Sequence, residues 1–379
     1  MNILHVSASY KPAYIYGGPI ISVSELCEML INAGENVTVF TTTANGDGEL
    51  QIEVNKPIEV DGVTVIYFKR LTGDPTHFSP ALLLKLWNSA KHYDIIHIHA
   101  WWNTISVLAC LIALLRRRKV VLSPRGMLSN YSFKNRRNIF KRLINSLLGN
   151  NLLERSYFHA TSENEKDDIY RLTGSENITV IPNLVKLPGE EFDAIAVSAS
   201  EKFKLLFLSR IEEKKGLDVL LKAVSSISIP YTLSIAGSGD EAYISELKEL
   251  ALSLGIETSI DWIGIQEQDS KFHCMNSHDL LILPSHNENF ANVVLESLSV
   301  GTPVLVSPDV GLADYIIESE LGWVCKAYPA KLRKTIERAF YNLEKRNFIR
   351  KNAPKQVRID FDENLILDQY LELYKKVIG

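Results

Sequence analysis

Lys204-Leu205-Leu206-Phe207-Leu208-Ser209-Arg210-Ile211-Glu212-Glu213-Lys214-Lys215-Gly216 decides the fold, because it starts a pattern for the second time. Residues 204–209 read as a buried strand, the charged stretch that follows as a loop, and 216–226 as a helix. The first such unit stands at residues 3–7, followed by a helix that Pro19 opens and Gly34 stops. Between the two, 37–42, 63–68, 95–99, 120–123, 158–161 and 178–181 read as strands. A helix over 103–116 has Asn103 as its N-cap. Beyond them, 232–236, 259–263, 280–283 and 303–306 are strands and 240–254 a helix. Strands that are apolar almost throughout, alternating with helices, predict parallel sheets covered on both faces. Residues 183–203, rich in Pro, Gly and Ser, read as a linker. The predicted class is therefore α/β: two Rossmann-like, doubly wound domains facing across a cleft, at 1–185 and 186–362. A final amphipathic helix within 363–379 is expected to pack back on the first domain.

The length of 379 residues fits two such domains. A formal net charge of −4 excludes a uniformly basic nucleic-acid binder. That total is a cancellation. Residues 1–185 carry 19 cations against 16 anions, and 186–379 carry 22 against 29. No acid lies between Asp94 and Glu154. That gap holds Arg116, Arg117, Arg118, Lys119, Arg125, Lys134, Arg136, Arg137, Lys141 and Arg142. Such a run predicts a surface for an anionic partner, either a membrane or a phosphate-bearing substrate. The four cysteines, Cys27, Cys110, Cys274 and Cys325, have no zinc spacing and fit a reducing cytosol. The start of the chain reads as a strand rather than a secretory signal. The apolar run 105–115 is too short to span a bilayer and is expected to be buried.

In doubly wound folds, ligands meet the loops after the strands. Gly17-Gly18-Pro19 opens the first helix, where free N–H groups favour an anion. Arg210 and Lys215 follow the first strand of the second half and suit a diphosphate; spacing does not separate Lys215 from Lys214. Pro284-Ser285-His286-Asn287-Glu288-Asn289-Phe290-Ala291-Asn292-Val293-Val294-Leu295-Glu296 follows another strand. Glu288 and Glu296 would lie about two turns apart on one side of a partly helical segment. One carboxylate there could hold a pair of ribose hydroxyls. Ala236-Gly237-Ser238-Gly239 imitates a dinucleotide fingerprint but lies on a later strand, where that fingerprint does not belong. His97 and His99 are expected to face opposite sides of their strand, with His99 nearer the cleft.

Taken together, these segments resemble the retaining nucleotide-sugar glycosyltransferases of family 4, which have the two-domain GT-B fold. The resemblance covers essentially the whole chain. It rests on Glu288-x7-Glu296 with Ser297-Leu298-Ser299-Val300-Gly301-Thr302-Pro303, on Ser209-Arg210 to Lys215-Gly216, on Tyr16-Gly17-Gly18-Pro19, on His97-Ile98-His99, and on Ala236-Gly237-Ser238-Gly239. It implies that Arg210 and Lys215 bind the donor diphosphate and stabilise the leaving nucleotide. Gly17 and Gly18 would sit by that diphosphate, and Glu296 would hold the ribose. Glu288 would contact the transferred sugar, and His99 would approach it near the anomeric centre. Pro284, Phe290, Ala291, Asn292 and Val293 would line the sugar and phosphate. The resemblance implies no metal and no cofactor beyond a UDP-sugar or, second, a GDP-sugar donor.

Two departures are small: Ser297 stands where Ala is usual, and Ser209 where Gly is common. A third concerns the acceptor side, where Arg125 of Ser123-Pro124-Arg125-Gly126-Met127-Leu128 replaces the His or other residue of many members. That segment is similar to bacterial surface-polysaccharide transferases, those of O-antigen and lipopolysaccharide included. Their acceptors are often sugars linked to a polyprenyl diphosphate, so the expected place of work is cytoplasmic, at the inner face of the membrane. Three rival readings stand beside it: a GT-B-shaped nucleotide-sugar epimerase, an NAD-dependent oxidoreductase, and a non-catalytic sugar-binding protein.

Overall fold

The computed structural model describes residues 1–129, 150–189, 202–266 and 268–379. Lys134, Arg136, Arg137, Lys141, Arg142 and most of the expected linker lie outside the described residues. The chain forms two units, Met1–Leu184 with Glu363–Gly379, and Val185–Asp362.

The strands of the first unit are β1 (Asn2–Val6), β2 (Asn36–Thr42), β3 (Ala44–Asn45), β4 (Gly48–Glu49), β5 (Pro57–Val60), β6 (Val63–Phe68), β7 (Ile95–His99), β8 (Lys119–Ser123), β9 (Tyr157–Ala160) and β10 (Ile178–Val180). Eight of them form one sheet in the order β10-β9-β8-β7-β1-β2-β6-β5; β3 and β4 pair separately. All neighbours in the large sheet are parallel except the hairpin β5–β6, which the apolar-run reading did not anticipate. Leu4, Val6, Ile96, Ile98, Leu122 and Phe158 point to one face and form a core with the helices Pro80–Ser89 and Thr104–Leu115. Asn103 caps the second of these, its Oδ1 accepting from Ser106 N at 2.8 Å. The apolar run is buried at Ile105, Ser106, Val107, Ala109, Cys110 and Ala113, but Leu108, Leu111, Ile112 and Leu114 are half-buried and Leu115 is exposed.

The opposite face carries the helices Gly18–Asn32 and Glu363–Ile378, the latter packed on β7 and β8. His5, His97 and His99 all lie on this side, and the rings of His97 and His99 have centroids 4.3 Å apart. The expectation that His97 and His99 face opposite sides is therefore wrong. Side chains alternate with a period of two, so positions 97 and 99 share a face.

The second unit has β11 (Phe203–Leu208), β12 (Tyr231–Ala236), β13 (Ile260–Gly264), β14 (Leu280–Leu283), β15 (Val304–Val306) and β16 (Gly322–Val324), all parallel, in the order β13-β12-β11-β14-β15-β16. Counted within the unit this is 3-2-1-4-5-6, the Rossmann order. The first unit repeats it around β1 and β7. In each sheet the chain reverses direction of growth at one place, between β11 and β14 here and between β1 and β7 there. Those two places are where ligands of such folds bind.

Candidate active site

In the second unit, the loop after β11 and the loop after β14 meet, because their strands are neighbours. His286 N donates to Lys214 O at 2.8 Å and ties the two loops together. Gly216, at φ +69, lets them close: a Cβ there would lie 2.3 Å from Pro284 O. The structure separates the two lysines that spacing left equal. Lys214 is turned out and pairs with Glu212 at 3.0 Å, whereas Lys215 is buried and its Nζ pairs with Glu288. Arg210 also reaches Glu212, at 2.7 Å. Burial pushes the Glu212 carboxyl up, but Arg210, Lys214 and Lys215 together outweigh it and hold the group below its ordinary value.

Glu288 is not on the helix that carries Glu296. It lies in extended chain pinned beside Asp309–Gly311, with Glu288 N donating to Asp309 O at 3.0 Å and Gly311 N donating to Glu288 O at 2.9 Å. The helix begins only at Asn292, after Ala291 at φ +73. The expected arrangement of both acids on one helical side thus gives way to two separate ion pairs. Glu296, buried on the helix Asn292–Ser299, pairs with Lys271 at 2.8 Å. Lys271 was absent from the sequence reading. It comes from the separate helix Gln268–Asn276, and no motif marked it. Pro284, Phe290 and Ala291 are buried, and Asn292 and Val293 are half-buried at the start of the Glu296 helix.

The Gly237–Gly239 segment has a packing role. A Cβ on Gly237 would stand 1.9 Å from Ser209 O, and one on Gly239 would stand 2.1 Å from Ile211 O. Ile211 N donates to Ser238 O at 2.7 Å. The glycines let the end of β12 support the Arg210 loop, which accounts for their spacing without a dinucleotide.

In the first unit, Gly17 at φ +71 precedes the helix Gly18–Asn32. The chain before it is held by Tyr16, whose hydroxyl donates to Asp74 Oδ1 at 3.0 Å and accepts from Gly46 N at 2.9 Å. Arg70 clamps the same loops through Glu49 at 2.6 Å, Gly46 O at 2.7 Å and Gly48 O at 2.8 Å, and also pairs with Asp74. The sequence does not mark Arg70, since most of its partners lie on the separate hairpin at 46–49.

The histidines form two hydrogen-bonded chains. His159 Nε2 lies 2.8 Å from Ile181 O, which can only accept, so that nitrogen carries the proton. The rest follows in one direction. Tyr374 O–H donates to His97 Nδ1 at 2.7 Å, His97 Nε2–H to Ser123 Oγ at 2.6 Å, and Ser123 O–H to His159 Nδ1 at 2.6 Å. In the second chain, Arg125 Nε–H points to His99 Nδ1 at 3.4 Å, and His99 Nε2–H donates to His5 Nδ1 at 2.9 Å. All four imidazoles are neutral. Burial, then the charge of Arg125, lowers His5 to about 3. His159 falls to about 3 through burial and Arg125, against the Ile181 carbonyl. His97 and His99 lie well below the ordinary histidine value, chiefly through burial. The expected direct contact of His99 with a sugar does not fit this geometry. The residue is 1% exposed and both its ring nitrogens are engaged. His5, His97 and His99 also stand close enough to share an ion. However, His97 spends both nitrogens on Tyr374 and Ser123, and the Arg125 cation lies against His99, so the cluster does not suit a metal.

Comparison with known proteins adds the family. The family model for glycosyl transferases group 1 matches residues 189–356, and that for glycosyltransferase family 4 matches residues 16–187. The chain belongs to the group 1/family 4 glycosyltransferases. An uncharacterised glycosyltransferase of Methanocaldococcus jannaschii is 26% identical, over 99% of this chain and 98% of its own length. A D-inositol 3-phosphate glycosyltransferase of Xylanimonas cellulosilytica is 25% identical, over 81% of this chain and 79% of its own. Among solved structures, HepE of Anabaena in complex with UDP and glucose superposes with a TM-score of 0.77 at 20% identity, covering 99% of this chain and 100% of that one. The fold of this glycosyltransferase is thus GT-B, and its activity is transfer of sugar from a nucleotide-sugar donor.

Proposed function

We propose that this glycosyltransferase moves a hexose or N-acetylhexosamine, with retention and without a metal or other cofactor, from a UDP-sugar to a glycan acceptor. A GDP-sugar is the second choice of donor. The acceptor would be a sugar carried on a polyprenyl diphosphate, in surface-polysaccharide synthesis of the O-antigen or lipopolysaccharide kind. The observation that carries the reading is the Lys215–Glu288 pair, with Arg210 on the same loop, at the point where β11 and β14 part. The donor diphosphate would replace Glu288 as partner of Lys215, freeing the carboxylate for the sugar hydroxyls. The ribose would likewise compete with Lys271 for Glu296. The first unit would take the acceptor. The acceptor O–H attacks the anomeric carbon on the face the phosphate leaves. Its proton passes to a phosphate oxygen as the C–O bond breaks, so the chain's own contribution is position and positive charge.

A thermal-shift panel of nucleotide sugars tests this. A donor at 100 times its Kd stabilises the folded state by about 2.7 kcal/mol. The expected result is a rise in Tm with UDP-sugars and a smaller one with GDP-sugars. A panel with no shift would sink the donor assignment, and an isomerised donor without free nucleotide would identify an epimerase.

A second reading concerns place. Leu84, Trp87 and Leu115 are exposed together with Arg117 and Lys119, and the Arg116 guanidinium lies 5.1 Å from the Trp87 ring centroid. Among the described residues no helix is long and apolar enough to cross a membrane. An apolar patch rimmed by cations suits peripheral attachment to the anionic inner leaflet. Binding to liposomes is expected to rise with anionic lipid, fall with salt, and weaken in Trp87→Ser. Equal binding to neutral liposomes would refute it.

A further inference from the structure

By sequence Arg125 is one of the cations between Asp94 and Glu154, but the fold sets it apart from a solvated surface charge. Part of the residue remains open, but its Nη2 is enclosed and has no hydrogen-bond partner. Nη1 donates to Ser22 Oγ at 2.8 Å and lies 3.4 Å from Asn183 Oδ1, and Nε faces His99. Every one of these acceptors is neutral. The carboxylate whose charge bears on it is Glu165, and Glu165 is committed elsewhere. Its oxygens accept from Gly126 N at 2.7 Å and from Thr161 N at 2.8 Å. Among the described residues no acid forms an ion pair with Arg125.

A guanidinium does not shed its charge, and a buried cation without an anion is costly to the fold. The backbone is costly too: Arg125 sits at φ +53, a conformation disfavoured for any residue but glycine, and Ala100 on the neighbouring loop sits at φ +65. Both loops leave the carboxyl ends of adjacent strands, β7 and β8, next to the point where β1 and β7 part. A fixed, strained, uncompensated cation in that position is a site awaiting an anion.

We propose that Arg125 binds a phosphoryl group of the acceptor, with the His99–His5 chain as its positioning support. The fork of N–H groups matches two oxygens of a phosphate. His99 Nδ1 fixes Nε and Ser22 fixes Nη1, which leaves Nη2 as the guanidinium nitrogen without an acceptor. Because the histidines stay neutral, they orient the cation without adding charge or competing for the anion. Assigning the anion to the acceptor rests on the transferase reading; the anion site itself does not.

The probe is inorganic pyrophosphate, with binding followed by calorimetry. In a protein carrying Arg210→Ala and Lys215→Ala, one saturable site is expected to remain. Adding Arg125→Gln is expected to weaken it by about tenfold or more, with Arg125→Lys between the two. Without any anion, Arg125→Gln alone should melt above the parent, since an unpaired buried charge has gone. Pyrophosphate should raise the Tm of the parent more than that of the variant. A variant that melts lower and binds pyrophosphate like its parent would make Arg125 structural and overturn the proposal. Loss of all pyrophosphate binding in the double variant would overturn it as well. In the wild type, pyrophosphate and UDP bound together support the acceptor as source, whereas strict competition assigns the phosphoryl group to the donor and overturns that assignment. If no nucleotide sugar binds at all, the transferase reading fails while the pyrophosphate results still judge the Arg125 site.

Discussion

Lys215→Ala is expected to lower sugar transfer by about 10²–10³-fold, the usual loss when one fixed group facing a developing negative charge is removed. The argument is geometric. Lys215 is buried on the loop after β11, and Gly216 behind it lets that loop sit directly against Pro284. A leaving diphosphate arriving there meets a cation already held at the site, which exchanges Glu288 for phosphate oxygens. The truncation also strips Glu288 of its partner, so Lys215→Ala should impair both nucleotide and sugar contacts. Glu288→Gln is expected to behave differently. It keeps the cation and therefore the affinity for UDP, while losing turnover. Release of UDP with an acceptor present, together with UDP affinity by calorimetry, reads both effects. Near wild-type turnover in Lys215→Ala would show that the paired loops are structural.

Acidification is expected to unfold the first unit well before ordinary carboxylate titration would. The unfolded histidines titrate near 6.5, whereas His5 and His159 in the fold are held at about 3 and His97 and His99 well below the ordinary value. Lowered folded values mean that the unfolded chain binds more protons below pH 6.5. Stability is therefore complete above that pH and falls as pH drops from 6.5 toward 3, by roughly 1.4 kcal/mol per pH unit for each such histidine. The cause is visible in the proton chain. Two of the four bonds from Tyr374 to the Ile181 carbonyl end on an imidazole nitrogen as acceptor, His97 Nδ1 and His159 Nδ1, and a protonated ring has none to offer. Urea unfolding at pH 7 and pH 5 measures the loss. His159→Gln should reduce the pH slope by about one proton's worth. An unchanged slope would show that the layer does not govern acid stability.

Much of this was legible in the residues. Strand–loop–helix units at 3–34 and 204–226 announced two doubly wound sheets, because apolar runs and helix stops are local signals. Asn103 as a cap was equally local. Arg210, Lys215, Glu288 and Glu296 could be named because loops after strands carry the ligands of such folds and because these segments resemble the family's motifs. What escaped were partnerships that join distant segments. Nothing in the sequence says that Lys215 rather than Lys214 turns inward, that Lys271 meets Glu296, or that Arg70 ties its own loop to the hairpin at 46–49. The same limit explains Arg125, which reads as one more cation in a basic run until the fold encloses its guanidinium. The histidine faces were different: the period of a strand was available from the sequence, and it places 97 and 99 together.

The final helix has a consequence for how the molecule is made. Glu363–Gly379 belongs to the unit formed by Met1–Leu184, although all of Val185–Asp362 is synthesised in between. Until those last residues leave the ribosome, His97 and His159 lack the phenols of Tyr374 and Tyr370 that cover them. The second unit, continuous in the chain, can finish before the first one does. Order of translation and order of completion are thus reversed, and a chain cut short anywhere before its last helix loses the unit that was begun first.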